Sequence, residues 1–274
     1  MTINCKGTLV DLSSPKVMGI LNITPDSFFD GGKYKNESEI LGQVEKMLFE
    51  GATFIDVGAY SSRPGAKHIS EKQELQRIVP VIELLIKNFP EIIISVDTFR
   101  SAIARETINA GAAIINDISG GKMDDNMFKT VANLRVPYIL MHMLGTPQNM
   151  QLNPVYKDVT QEIISFFAEQ IFKLHQLEIN DIIIDVGFGF GKTISHNYEI
   201  LKNLSLFKSL NAPILAGISR KSMLYKTLNI SAKEALNATT SANTIALLNG
   251  ANILRVHDVK EAMEAVKIVH QLSS

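Results

Sequence analysis

The chain is 274 residues long, 46% hydrophobic and 20% charged, with a formal net charge of −1. That balance is ordinary for a globular protein, and without a basic block it argues against nucleic acid or an anionic membrane as partner. One cysteine, Cys5, excludes an internal disulfide and suits a reducing, cytoplasmic setting, and no run reaches the roughly 20 apolar residues of a membrane span.

The first fifteen residues are polar and lack the apolar core of a secretory signal. They are expected to form a small lid over the bottom of the domain. Beyond them, short apolar runs alternate with longer amphipathic stretches. Strands are predicted over 16–22, 53–59, 92–97, 112–117, 137–142, 181–187, 213–219 and 252–257. Most are apolar almost throughout, as parallel strands covered on both faces must be. Helical periodicity covers 39–51, 71–88 and 158–177 among others. Gly51, Gly111 and Gly250 stand where a helix stops before a strand.

Eight strand–helix units in about 250 residues predict an α/β protein of the (β/α)8 barrel type, a single domain over 1–274. An open doubly wound sheet is the alternative, because alternation alone does not show closure.

The stretch "DVGFGFGKT" (185–193) looks like a phosphate loop. A P-loop would need glycine at 186, which is Val186, and the dinucleotide fingerprint would need its third glycine at Lys192. Both spacings miss by one residue. Lys192 and Thr193 read instead as the start of the next helix, with Thr193 or Ser195 as its cap.

In a barrel, chemistry gathers at the C-terminal ends of the strands. The polar residues there are Asn22, Asp56, Asp97, Asn116, His142, Asp185, Ser219 with Arg220 and Lys221, and Arg255 with His257. Any one could merely satisfy a loop or cap, and Asp56 and His142 stay ambiguous on these grounds. Together they fit a ligand. Asp97, Asn116 and Asp185 suit a flat heterocycle with several N–H donors. Lys221, Arg255, His257 and Arg63 suit an anion. Asn22 is a neutral oxygen donor of the kind magnesium accepts alongside water and phosphate oxygens.

The segments "MGILNITPDSFFDGG" (18–32), "SSRPGA" (61–66), "SVDTF" (95–99), "INDISGG" (115–121), "LMHMLGTPQNMQ" (140–151), "DVGFGFGK" (185–192), "GISRKS" (217–222) and "RVHDV" (255–259) resemble, in order, the dihydropteroate synthase family. The match runs from about 16 to 260. The resemblance implies a transferase of folate biosynthesis, a sulfonamide target, that joins 6-hydroxymethyl-7,8-dihydropterin diphosphate to para-aminobenzoate. Residue by residue, it implies pterin contacts at Asp97, Asn116, Asp185 and Lys221, with Met141 and Phe190 as apolar walls. It implies magnesium at Asn22 and the diphosphate at Arg255, His257 and Asn22. Ser62, Arg63 and Pro64 fall on its aminobenzoate loop, Ser222 beside that ring, and Lys221, Arg255, His257 and Arg63 in the catalytic set. It also implies a homodimer, with 233–249 and 258–272 as candidate contact helices.

In this reading the C–O bond breaks ahead of amine attack, so no strong general base is required. Pterin-binding methyltransferase domains would not need Arg255, His257 and the Asn22 loop. A non-catalytic paralogue would be expected to lose Asn22, Lys221 or the "SSRPG" stretch. The chain departs from the usual pattern at Ala59-Tyr60, at Ser62 where threonine is common, and at Val186, where the family commonly has proline.

Overall fold

The computed structural model describes residues 1–23, 33–61, 68–147, 149–150 and 152–272, without the side chains of 33–36. Strands β1 (Thr2–Cys5) and β2 (Thr8–Asp11) form an antiparallel hairpin. Eight parallel strands follow: β3 (Lys16–Asn22), β4 (Phe54–Gly58), β5 (Ile94–Asp97), β6 (Ile114–Asp117), β7 (Tyr138–Met141), β8 (Ile182–Asp185), β9 (Ile214–Ala216) and β10 (Ile253–Val256). They pair in chain order, and β10 closes the ring by pairing with both β9 and β3. Closure settles the choice against the open sheet.

Each strand has two buried faces, which is why the runs read as continuous apolar sequence. Outward residues such as Val17, Ile55, Val96, Ile115 and Leu254 pack under the helices in the larger core. Inward residues Met18, Phe54, Ile114, Ile139, Ile183, Leu215 and Ile253 fill the lower barrel. Ile3, Cys5, Val10 and Leu12 of the hairpin join that inner cluster, so the amino terminus does cap the barrel bottom. With the floor apolar, the polar inward residues are left for the opposite rim.

The helix Glu71–Asn88 has its predicted bounds and begins at a capping box, in which Ser70 accepts from Gln73 N–H. Val159–Gln176 matches within a residue at each end. The first long helix, Lys33–Phe49, starts six residues before the predicted 39, because its opening turns carry no apolar periodicity to read. β3, β5 and β6 end where predicted, whereas β4, β7, β8, β9 and β10 stop one to three residues short of their predicted C-terminal ends. There the chain leaves the ladder to build loops: His142, just past β7, still donates its N–H to Asp185 O at 3.0 Å.

Candidate active site

The register brings the predicted polar residues to one mouth. Gly58 pairs with Asp97, Asp97 with Asn116, and Met141 with Asp185 across neighbouring strands. The hub is Asp56, one turn of the pleat below the rim and fully buried. Its Oδ2 accepts from Arg255 Nε at 2.6 Å and from Asn116 Nδ2 at 3.1 Å. Arg255 also donates from Nη2 to Asp97 Oδ2 at 3.0 Å. One guanidinium thus holds two carboxylates, and one of those holds the carboxamide. Asp56 Oδ1 and Asn116 Oδ1 are buried with no hydrogen-bond donor among the described residues. Buried acceptors of this kind suit a ligand that brings N–H groups.

Burial pushes the Asp97 carboxyl up to about 7, against the pull of Arg255 and with the help of neighbouring Asp56. Burial raises Asp185 too, opposed chiefly by Lys221. Lys221 is lowered to about 8 by burial, with Asp185 opposing the shift. Burial also works against the Arg255 charge, but Asp56 and Asp97 outweigh it and hold the guanidinium above its usual range.

Lys221 donates from Nζ to the carbonyl of Phe188 and lies 4.6 Å from the centroid of the Phe190 ring. Phe190 and Met141 border one apolar cluster with Tyr60, Ile69, Phe99, Ile118, Met143 and Met150. The two expected walls therefore share a surface beside the carboxylates. Ser222 opens the helix Ser222–Leu228 directly after Lys221. At the rim, His257 is exposed, and its Nδ1 lies 3.0 Å from Ser219 Oγ, which orients the ring.

The glycine-rich turn lacks the spacing of a phosphate cradle, and its N–H groups at Gly187, Gly189 and Phe190 are committed internally. Gly187 N–H goes to Asp185 Oδ1 at 2.8 Å and Gly189 N–H to Asn197 Oδ1 at 2.7 Å. Glycine is required at 187, where φ is +69° and a Cβ would stand 2.0 Å from the carbonyl oxygen of His142. Thr193 caps the helix Ile194–Lys202, as expected, by accepting from His196 N–H.

Three polar residues near the mouth have partners within the protein that the sequence did not reveal. Lys192 does stand at the start of the helix, and it is also buried, with its Nζ 3.1 Å from His142 Nδ1. His142 therefore faces Lys192 and the Phe166 ring, 5.0 Å away, and burial drives its pKa down to about 2. Arg220 is spent on Asp258 through Nε and Nη2, at 2.8 and 2.9 Å, and on two backbone carbonyls. Ser62, Arg63 and Pro64 lie outside the described residues, as do positions 24–32 of the first loop.

The altered Ala59-Tyr60 pair has a place in this frame. Tyr60 OH lies 3.1 Å from His68 Nδ1, joining residues on either side of 62–67. The Tyr60 ring meets Phe99 edge-on at 5.0 Å, and Arg100 lies over both rings while pairing with buried Glu74 at 2.5 Å. Sequence reading marked Tyr60 as a departure but missed its partners, which come from the loop at His68 and from Phe99 and Arg100 between β5 and the next helix.

Comparison with known proteins agrees with this geometry. Residues 18–257 match the family model described as pterin binding enzyme. The chain is 45% identical over 271 residues to the dihydropteroate synthase of Escherichia coli strain K12, covering 98% of this chain and 95% of that protein. It superposes with a TM-score of 0.93, at 43% identity, on the Yersinia pestis dihydropteroate synthase in a sulfonamide drug complex, covering 100% and 99% of the two chains. On the Xanthomonas albilineans dihydropteroate synthase with 4-aminobenzoic acid the TM-score is 0.92 at 36% identity, covering 100% and 98%.

Proposed function

The chain belongs to the pterin-binding enzymes, among the dihydropteroate synthases, and from that premise we propose how its own residues divide the work. The enzyme is a transferase of folate biosynthesis. It condenses 6-hydroxymethyl-7,8-dihydropterin diphosphate with para-aminobenzoate to give 7,8-dihydropteroate and diphosphate.

The observation that carries the assignment of roles is the pair of unsatisfied buried acceptors, Asp56 Oδ1 and Asn116 Oδ1, beside Asp97 and Asp185. A dihydropterin brings N–H donors along one edge, and a flat ring fits against Met141 and Phe190. Asp97, Asn116, Asp185 and Lys221 hold the pterin. Arg255 and exposed His257 face the diphosphate, where positive charge stabilises the oxygens as the C–O bond breaks. The carboxylates around the ring stabilise the positive charge that then develops on it. Aminobenzoate attacks through its neutral nitrogen, with Ser62, Arg63, Pro64 and Ser222 holding its ring and carboxylate. Closure over the pair excludes water from the reacting carbon.

Magnesium fits the donors present. Asn22 ends β3 at the rim, opposite Gly58 of β4, and brings an amide oxygen there. Oxygen donors suit a hard cation, and magnesium takes few protein ligands when a phosphate supplies others. No group of three or more His, Cys, Asp or Glu that could hold a metal occurs among the described residues. When bound at Asn22, the ion would neutralise charge on the leaving diphosphate.

A cytoplasmic homodimer completes the reading. No helix among the described residues is long and apolar enough to cross a membrane. Ile245, Leu248, Ile268 and Leu272 are exposed on and after the two C-terminal helices, Leu236–Leu248 and Val259–His270, which supports them as the contact. The testing experiment is diphosphate release from dihydropterin diphosphate and magnesium, with and without para-aminobenzoate. Aminobenzoate-dependent release that yields dihydropteroate is expected. Pterin binding without turnover would replace this reading with that of a non-catalytic binding protein.

A further inference from the structure

Among the described residues Lys192 is the most deeply buried lysine or arginine, at 3% exposure, and the reaction above gives it no role. Burying such a group is costly unless its hydrogen bonds are met. Its Nζ lies 3.0 Å from the carbonyl oxygens of both Gly187 and Phe190. It lies 3.3 Å from His142 O and 3.1 Å from His142 Nδ1. The first two partners belong to the glycine-rich turn and the other two to His142, the residue just past β7. One amino group therefore ties the turn to the neighbouring strand.

The rest of the turn is fastened as completely. Phe188 O takes Lys221, Gly191 O accepts from Tyr156 OH at 2.8 Å, and Gly187 O also accepts from Phe190 N–H. Without Lys192, Phe190 O and His142 O would lose a donor in a dry setting. The turn begins at Asp185 and carries Phe190, so its shape sets the distance between the carboxylate and the ring wall.

We propose that Lys192 is a positioning residue for the pterin: by pinning Gly187 O and Phe190 O to the end of β7, it fixes Asp185 and Phe190 at the spacing the flat ring requires. The inference rests on the synthase reading for the identity of the ring. His142 O accepts from Lys192 and completes the pin, and Phe166 and Tyr156 flank the His142 imidazole.

The test is the dissociation constant of 6-hydroxymethylpterin, measured by calorimetry on the full chain. Lys192→Met keeps the apolar stem and removes the donors; affinity should weaken at least about tenfold. Lys192→Gln, with two amide donors on a shorter stem, should fall between it and the parent, and carries the test if the methionine variant does not fold. Thr193→Ala is the control, because it removes the neighbouring helix cap without touching the turn carbonyls. It should lower the melting temperature while leaving pterin affinity within about twofold.

Folded lysine variants with pterin affinity unchanged would overturn the proposal. So would equal losses of affinity in Lys192→Met and Thr193→Ala, which would mark a merely structural residue. Turnover by the parent chain is read separately. A parent that binds hydroxymethylpterin yet releases no diphosphate with aminobenzoate would refute the synthase reading and leave the comparison of variants intact.

Discussion

Arg255 on the last barrel strand donates from Nε to Asp56 on the second, at 2.6 Å and across 199 residues of sequence. The contact also locates Asn116, since both bind the same carboxylate oxygen. Asp56→Ala would leave a part-buried guanidinium and a buried carboxamide without their shared acceptor. Breaking a buried pair from one side costs about 3–5 kcal/mol. A large drop in melting temperature is expected, together with loss of pterin binding. A variant as stable as the parent would show that Asp56 is not the hub.

The two shifted groups set a narrow pH window. Asp97, raised to about 7 by burial, accepts a hydrogen bond as a carboxylate only above that pH. Lys221, lowered to about 8 by burial, carries charge only below that value. The kcat/KM profile for the pterin substrate, which reports the free enzyme, should rise through the first value and fall through the second. Asp97→Asn should erase the acid limb and Lys221→Met the basic one. The stability signs differ. Asp97 binds more protons folded than unfolded between its ordinary value and 7, so its contribution declines as pH rises across that interval. Lys221 binds fewer folded between 8 and 10.5, so its contribution improves as pH rises there.

Removing Lys221 should also cost rate at every pH. The loss of one charged donor preorganised at a reacting site is commonly about 100-fold or more in turnover. Lys221→Ala with unchanged kcat/KM would remove this residue from the machinery.

Gly187→Ala tests the turn itself. The left-handed conformation alone costs about 1–2 kcal/mol for a residue with a side chain, and the clash with His142 O adds to it. Thermal melting should show the loss, and pterin affinity should fall with it. Gly42 is the counterpart control, since a Cβ there meets nothing within 4 Å. An alanine at that helical position should be harmless.

Tyr60→Phe keeps the ring on Phe99 and removes the hydroxyl that meets His68. A net hydrogen bond contributes about 0.5–1.5 kcal/mol, so folding should be little disturbed. The KM for aminobenzoate should rise several-fold, because residues 60 and 68 flank the segment that carries Ser62, Arg63 and Pro64. Equal effects on both substrates would argue against this local role.

What was readable in the sequence depended on range. The strands were legible because burial on two faces leaves a run such as "DIIID" with few polar residues, and Asp185 stood out at its end. The barrel mouth followed from topology. Lys192 did not, because Gly-Lys-Thr before a helix spells a helix start, and nothing local shows the amine folding back under its own turn. Asp56 read as ambiguous for a similar reason: its partners, Asn116 and Arg255, lie on other strands. Arg220 looked like one more cation at the rim, and only the fold shows that Asp258 claims it.

The amino-terminal hairpin carries a last consequence. With Met18, Phe54, Ile114 and Ile183 filling the lower barrel and Ile3, Val10 and Leu12 packed beneath them, the enzyme is a cup and not a tube. Two reactants and two products must share one doorway, so they queue. The spent diphosphate has to clear before another pterin diphosphate can settle, and dihydropteroate must back out by the way its halves came in. An occupant lodged anywhere in that doorway halts traffic in both directions.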